Sequence, residues 1–142
     1  MAINKLYDPH RRDRFVHVKS GLNWCFADAH VSPNDAYLTL RKDFLRENPD
    51  LFPEHGELID VVWDDGTEMT CLLEGTQDLD GVRAPKQIST YGDKSILGTY
   101  LRNRLNVMGS HVITYQDLQT YGRDNIEITR MEDGRYFFDF SV

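Results

Sequence analysis

Residues 95–142 read SILGTYLRNRLNVMGSHVITYQDLQTYGRDNIEITRMEDGRYFFDFSV, and the spacing of their apolar residues changes in a way that decides the fold. Ser95 is placed to cap a helix whose apolar positions Ile96, Leu97, Tyr100, Leu101 and Leu105 share one face, with Arg102 and Arg104 expected to point away from the core. Thr114, with Asp117 three residues on, is a box-like start for a second helix that should bury Tyr115, Leu118 and Tyr121 and stop at Gly122. Ile126 and Ile128, then Asp133-Gly134, then Tyr136, Phe138 and Phe140 alternate with period two around a two-residue turn, the pattern of a β-hairpin.

Upstream, Leu58 to Trp63 lead into Asp65-Gly66, and Met69, Cys71 and Leu73 return, giving a second hairpin. Phe15–Lys19, Ala36–Leu40 and Ala84–Tyr91 suit strands, and Ser20-Gly21 breaks the first of them. Residues 22–34 form a loop closed by Ser32-Pro33-Asn34, and residues 75–83 form another. A short helix over 41–48 must end before Pro49, because the residue ahead of a proline is pushed out of the helical region. Residues 1–14 lack a period and are expected to be an arm or a mobile end. Strands outnumber helices, so the fold class expected is mainly β with short helices, closed as a small barrel or a strongly curved sheet.

A chain of 142 residues suffices for one domain. It divides into an N-terminal arm and first strand, 1–19, and a main body, 20–142. No apolar run reaches the roughly 18 residues of a membrane helix, and the first residues lack the apolar core of a signal peptide. Cys25 and Cys71 form no CxxC pair or even framework. A soluble, reduced, cytoplasmic protein with no membrane partner is the expectation.

The net charge of −7 argues against a nucleic-acid partner until its distribution is considered. Residues 1–20 carry Lys5, Arg11, Arg12, Arg14 and Lys19 against Asp8 and Asp13, and residues 83–104 carry Arg83, Lys86, Lys94, Arg102 and Arg104 against Asp93. Residues 43–80 hold twelve carboxylates against the single Arg46. Basic and acidic faces result if the two basic stretches meet; otherwise each run is only a solvated surface.

Catalytic patterns are missing. The histidines form neither HxH nor HExxH, Cys25 and His30 make only a loose pair, and GxSxG, GxxxxGK and GxGxxG do not occur. His17-Val18-Lys19 imitates the HxK of phospholipase-D-type nucleases, but the aspartate required five residues after the lysine is Trp24. Asp60, Asp64, Asp65 and Glu68 are read as turn and solvent-face chemistry around a hairpin. No metal or cofactor is expected, nor catalysis by this chain alone.

Gly21-Leu22-Asn23-Trp24, Ala36-Tyr37, Phe52-Pro53, Asp64-Asp65-Gly66, Ser95-Ile96-Leu97-Gly98 with Arg102 and Arg104, Tyr121-Gly122-Arg123, and Tyr136 with Asp139-Phe140-Ser141 follow one another along residues 20–142. In that order they resemble the B3-like DNA-binding domain of bacterial type II restriction endonucleases, particularly the metal-independent group with a phospholipase-D-type nuclease domain. The resemblance implies a seven-stranded open pseudobarrel that grips the major groove of duplex DNA with two loop-bearing arms, here about 23–34 and 86–94. Its partners would be double-stranded DNA and a nuclease domain or subunit.

The second arm has suitable chemistry: Lys86 and Lys94 for phosphates or guanine, Gln87 for adenine, and the hydroxyls of Ser89, Thr90 and Tyr91. The first arm departs from the family, with Cys25 where glycine is expected and Phe26-Ala27-Asp28-Ala29-His30 where arginines commonly stand. Its candidates are Asn23, Trp24, His30, Ser32 and Asn34, with Trp24 either packing under the arm or touching DNA. Arg102, Arg104 and Arg123 are candidates for phosphate contact, against salt-bridged or helix-terminal roles. The alternative is a protein-interaction module, or DNA mimic, that uses the acidic face of 43–80.

Overall fold

The computed structural model describes residues 1–28, 31–53 and 56–142. The strands are β1 (Ala2–Lys5), β2 (Leu38–Thr39), β3 (Leu58–Trp63), β4 (Glu68–Glu74), β5 (Gln77–Leu79), β6 (Val82–Ala84), β7 (Gln87–Thr90), β8 (Asn125–Arg130) and β9 (Tyr136–Asp139). The helices are α1 (Lys42–Glu47), α2 (Ser95–Leu105) and α3 (Tyr115–Tyr121), with a 3-10 segment at Gly21–Phe26. Seven strands form one curled, open sheet in the order β1-β8-β9-β3-β4-β7-β2, as the pseudobarrel resemblance implied. β5 and β6 form a separate two-stranded hairpin.

Both hairpins expected from their Asp-Gly turns are present. Val62 faces Glu68 across the Asp65-Gly66 turn, and Arg130 faces Tyr136 across Asp133-Gly134. The two are joined by the parallel pairing of β3 with β9, Val61 to Tyr136 through Trp63 to Phe138. The inward face of the seven-stranded sheet is mostly apolar, and its row of Ile59, Val61, Trp63, Cys71, Leu73, Ile88, Ile126, Ile128, Tyr136 and Phe138 is buried. Leu97, Leu101 and Leu105 of α2, Phe44 and Leu45 of α1, and Leu118 of α3 cover it. Trp63 anchors this layer, its ring 4.7 Å from Tyr100 and 5.2 Å from Phe138.

Several local expectations are corrected. Residues 1–14 are not an unstructured arm: Ala2–Lys5 is an edge strand paired with Asn125–Ile128. Phe15–Lys19 is not a strand but makes a single bridge, Phe15 to Asp8, because no neighbouring strand lies beside it. Residues 75–83 include the β5–β6 hairpin, whose turn is Asp80-Gly81, both at positive φ. Ser95 does not cap α2. Its hydroxyl donates to Asp93, and Thr90 Oγ1 accepts from the Leu97 amide. Thr114 and Asp117 do form the reciprocal box that starts α3, which Gly122 ends at φ 106°. Tyr115 and Tyr121 are half-buried there, and only Leu118 is wholly covered.

Candidate nucleic-acid interface

The first arm leaves the body through the 3-10 segment, whose Leu22 and Asn23 are buried. The Asn23 side-chain nitrogen donates to the carbonyls of His17 and Ile113, and its oxygen accepts from the Ile113 amide, each at 2.8 Å. Fully buried and fully bonded, Asn23 anchors the arm's root and has no polar atom left for a base. Trp24 is half-buried. It stacks edge-on against Tyr37 at 5.6 Å, with the Lys94 ammonium 5.1 Å from its ring centre. On the returning half of the arm Ser32 is exposed, and the Asn34 side chain donates to Thr99 at 3.2 Å. His30 lies outside the described residues.

Arg102 does not point into solvent. It runs beneath the arm, 2% exposed, with its guanidinium donating to the carbonyls of Leu22 and His111. Burial pulls that guanidinium below its usual range. The apolar spacing in 95–105 placed it on the solvent side of the helix, but the arm folds over that side. Arg104 is also committed, gripping Asp64 with both terminal nitrogens at 3.0 and 2.9 Å. Its burial opposes the charge, yet the hydrogen bonds it donates to Asp64, Tyr100 and Tyr121 outweigh that and raise its pKa. Arg123 bonds the Ser141 carbonyl and pairs with Asp139. These three arginines fasten the fold together.

The expected second arm, 86–94, is mostly sheet: Gln87–Thr90 lies between β4 and β2. Ser89 is buried and donates to the Ala36 carbonyl at 2.6 Å, and Thr90 is buried against Asp93 and Leu97. Gln87 donates to Glu74 at 3.3 Å, and Lys94 makes an ion pair with the same carboxylate oxygen. Tyr91, 59% exposed, and Lys86 face solvent. The segment that leaves the sheet is the β5–β6 hairpin immediately before Lys86, with Val82 and Arg83 exposed on it.

In a chain of net −7, the cations with no carboxylate partner are the informative ones. Among the described residues Arg11, Lys19, Arg46, Lys94, Arg104, Arg123 and Arg135 each sit within ion-pair distance of an Asp or Glu. Among the same residues Lys5, Arg12, Arg14, Arg41, Lys42, Arg83, Lys86, Arg102 and Arg130 have no such partner, and of these Arg41, Lys42 and Lys86 line one open groove. Asp8, His10, His17 and Ser20 of the N-terminal segment, Tyr37, Thr39 and Leu40 at β2, Asp43 and Arg46 of α1, and Gln77 of the hairpin complete it, so two carboxylates share the groove with its cations. Burial draws the Arg41 guanidinium below its usual range, against opposition from Asp8. The Asp8 carboxyl is in turn held low by the His10 amide. Of the two basic stretches of the sequence only Lys86 brings one of its counted cations to this groove; residues 1–20 contribute His10 and His17, each within ion-pair distance of an aspartate. Arg41 and Lys42, which belong to neither stretch, carry much of its charge. Their position on the α1 boundary gave no signal in the sequence.

Among the described residues no group of three or more His, Cys, Asp or Glu is placed to hold a metal ion, and no helix is long and apolar enough to cross a membrane. A family model described as the NgoFVII C-terminal B3-like DNA-binding domain matches residues 6–132. No curated protein matches the chain.

Proposed function

Because the chain belongs to the B3-like DNA-binding family of the NgoFVII C-terminal domain, we propose that it binds double-stranded DNA over the groove lined by Arg41, Lys42 and Lys86. The observation that carries this reading is the gathering in one groove of three cations that, among the described residues, are not within ion-pair distance of a carboxylate, although Asp8 and Asp43 also line it. A duplex releases its counterions to such a surface, and the gain is sequence-independent. The flanking elements then supply base contacts. On one side is the arm with Trp24, Ser32 and Asn34; on the other are the β5–β6 hairpin and the rim of Gln87, Tyr91 and Lys94.

This assignment moves the second arm. The resemblance placed it at 86–94, but a strand held on both sides cannot enter a groove, whereas the 77–84 hairpin can. Base contact is accordingly assigned to neither Asn23, Ser89 nor Thr90, all buried, and phosphate contact to none of Arg102, Arg104 and Arg123. The domain's role is to deliver a nuclease, on a separate chain or a joined one, to its site.

The protein-interaction reading draws less support. Asp43, Asp64, Asp65, Glu68, Glu74 and Asp80 of the acidic segment are all in ion pairs with arginine or lysine. Fluorescence anisotropy on a mixed duplex pool tests the proposal. Affinity should fall roughly 10- to 1000-fold between low and moderate salt. Absence of binding at low salt, with salt-sensitive capture of a basic protein instead, would replace it with the interaction module.

A further inference from the structure

Glu74 is an acidic side chain bonded to two candidate base-contacting residues, Gln87 and Lys94, and these neighbours give it a specific chemistry. It is the last residue of β4, opposite Gln87 on β7, which in turn lies opposite Thr39 on β2. Leu73, its neighbour in sequence, points into the core, so Glu74 lies on the outer face of the sheet, at the root of the β5–β6 hairpin. One carboxylate oxygen accepts from Gln87 and from Lys94, and Lys94 is itself held over the Trp24 ring. Both members of the ion pair remain partly open, Lys94 29% and Glu74 27% exposed.

A carboxylate facing phosphates repels them, and a lysine that only neutralises it adds nothing to nonspecific binding. The pair together has another use. It presents a donor and an acceptor side by side, with the acceptor unable to donate. In the major groove a G·C pair offers the complementary set: the guanine O6 and N7 acceptors, and beside them the cytosine N4 amino donor. O6 and N4 are about 3 Å apart because they bond each other, the spacing of any N–H···O contact. An A·T pair offers its amino donor next to the adenine N7 and opposite the thymine O4, with the donor and acceptor strands exchanged. An A·T or C·G pair therefore leaves Lys94 facing an amino group and Glu74 facing a carbonyl, whereas a T·A pair, with the thymine O4 beside the adenine amino group, offers the same order of acceptor and donor as G·C.

Resting on the DNA-binding reading above, we infer that Glu74 and Lys94 act as one unit that reads a single base pair across both strands, Lys94 on the carbonyl of a guanine or thymine and Glu74 on the amino group of its cytosine or adenine partner. Gln87 holds the carboxylate in place, and Trp24 holds the ammonium. Glu74 is thus a specificity-determining residue, and the ligand it selects is duplex DNA with a guanine or thymine on one strand at one fixed position and the partner base's amino group unmodified.

The test is selection from a randomised duplex pool at low salt by the unaltered protein and by Glu74→Gln, an isosteric change at a partly exposed site whose folding is verified by its thermal transition. The unaltered protein should recover a motif with one position restricted to guanine or thymine on the same strand. E74Q should bind the pool about as well but lose discrimination at that position by about tenfold. The same motif and the same strictness from both proteins overturns the inference and leaves DNA binding standing, as does binding without sequence preference. No recovery by either protein overturns the DNA-binding reading itself. A duplex of the selected motif with methyl on the partner base's amino group, cytosine N4 or adenine N6, gives a readout independent of mutation: weakened binding is expected, and unchanged affinity counts against the contact.

Discussion

The main-chain oxygen of Asn34 rests against Gly98 so closely that a Cβ at residue 98 would stand 1.6 Å from it. The first arm returns to the body at this contact, and only a residue without a side chain lets α2 pass beneath it. Gly98→Ala should therefore push the arm off the helix and destabilise the protein by at least about 2 kcal/mol, more than the helix-propensity gain of alanine returns. Urea denaturation measures it. A G98A protein as stable as the parent would mean that the arm is free of α2.

Asp64 holds together three parts of the chain, accepting two hydrogen bonds from Arg104 and one from the Phe140 amide at 2.7 Å. Both side chains of the ion pair are 14% exposed, so removing one partner strands the other away from water. Arg104→Met should cost about 3 kcal/mol, while DNA affinity measured well below the unfolding transition stays unchanged. Lost affinity in a folded R104M protein would return Arg104 to the interface.

Charge reversal separates the groove from the rest of the positive surface. Lys86→Glu and Arg41→Gln should each weaken DNA binding and lower the salt slope by about one counterion, and reversal of Lys86 and Lys94 together should abolish it. Arg130→Glu is the control, an exposed cation on β8 outside the groove and likewise without an ion-pair partner among the described residues. Equal losses from K86E and R130E would point to diffuse attraction in place of a groove.

The α3 cap carries an acid dependence. Burial pushes the Asp117 carboxyl up, but the Thr114 amide, His111 and the Thr114 hydroxyl outweigh it and hold the group below its ordinary 3.8. A carboxyl with a depressed folded-state pKa contributes stability that is complete above the unfolded value and is lost as pH falls through 3.8 and then through the folded value. Asp117→Asn should cost about 1 kcal/mol at pH 7 and progressively less as pH falls below 3.8. Parallel stability curves for the two proteins across that window would contradict the assignment.

The two thiols should differ sharply. Burial pushes the Cys71 thiol up to about 12, and the residue is 1% exposed on β4. Cys25 is half-buried on the 3-10 segment. Iodoacetamide at pH 8 should label Cys25 in the native protein and Cys71 only after unfolding, as mass spectrometry of peptides would show. Labelling of native Cys71 would place the β4–β7 pairing in doubt.

What the sequence reveals here is what depends on near neighbours. The Asp65-Gly66 and Asp133-Gly134 turns set their hairpins, and the Thr114 box and Gly122 delimit α3, because each signal and its consequence lie within a few residues. β1 escapes notice because Ala2–Lys5 has no period of its own and becomes a strand only by pairing with residues 125–128. Phe15–Lys19 alternates like a strand yet has no partner. Arg102 and Asn23 look like surface chemistry because the elements that bury them come from elsewhere in the chain. The interface follows the same logic: Lys86 is visible as part of a basic run, whereas Arg41 and Lys42 become significant only once the groove assembles around them.

The parallel pairing of β3 with β9 has a consequence for how the protein is made. Val61 finds its sheet neighbour in Tyr136, and until that late residue is available the middle of the sheet has an unfilled slot. Chain closure over so long a span is slow compared with hairpin formation. During synthesis, the β3–β4–β7 half must wait on the ribosome with one edge of its hydrogen-bonding groups open, a state in which a chaperone, or a second nascent copy, would find it most vulnerable to mispairing.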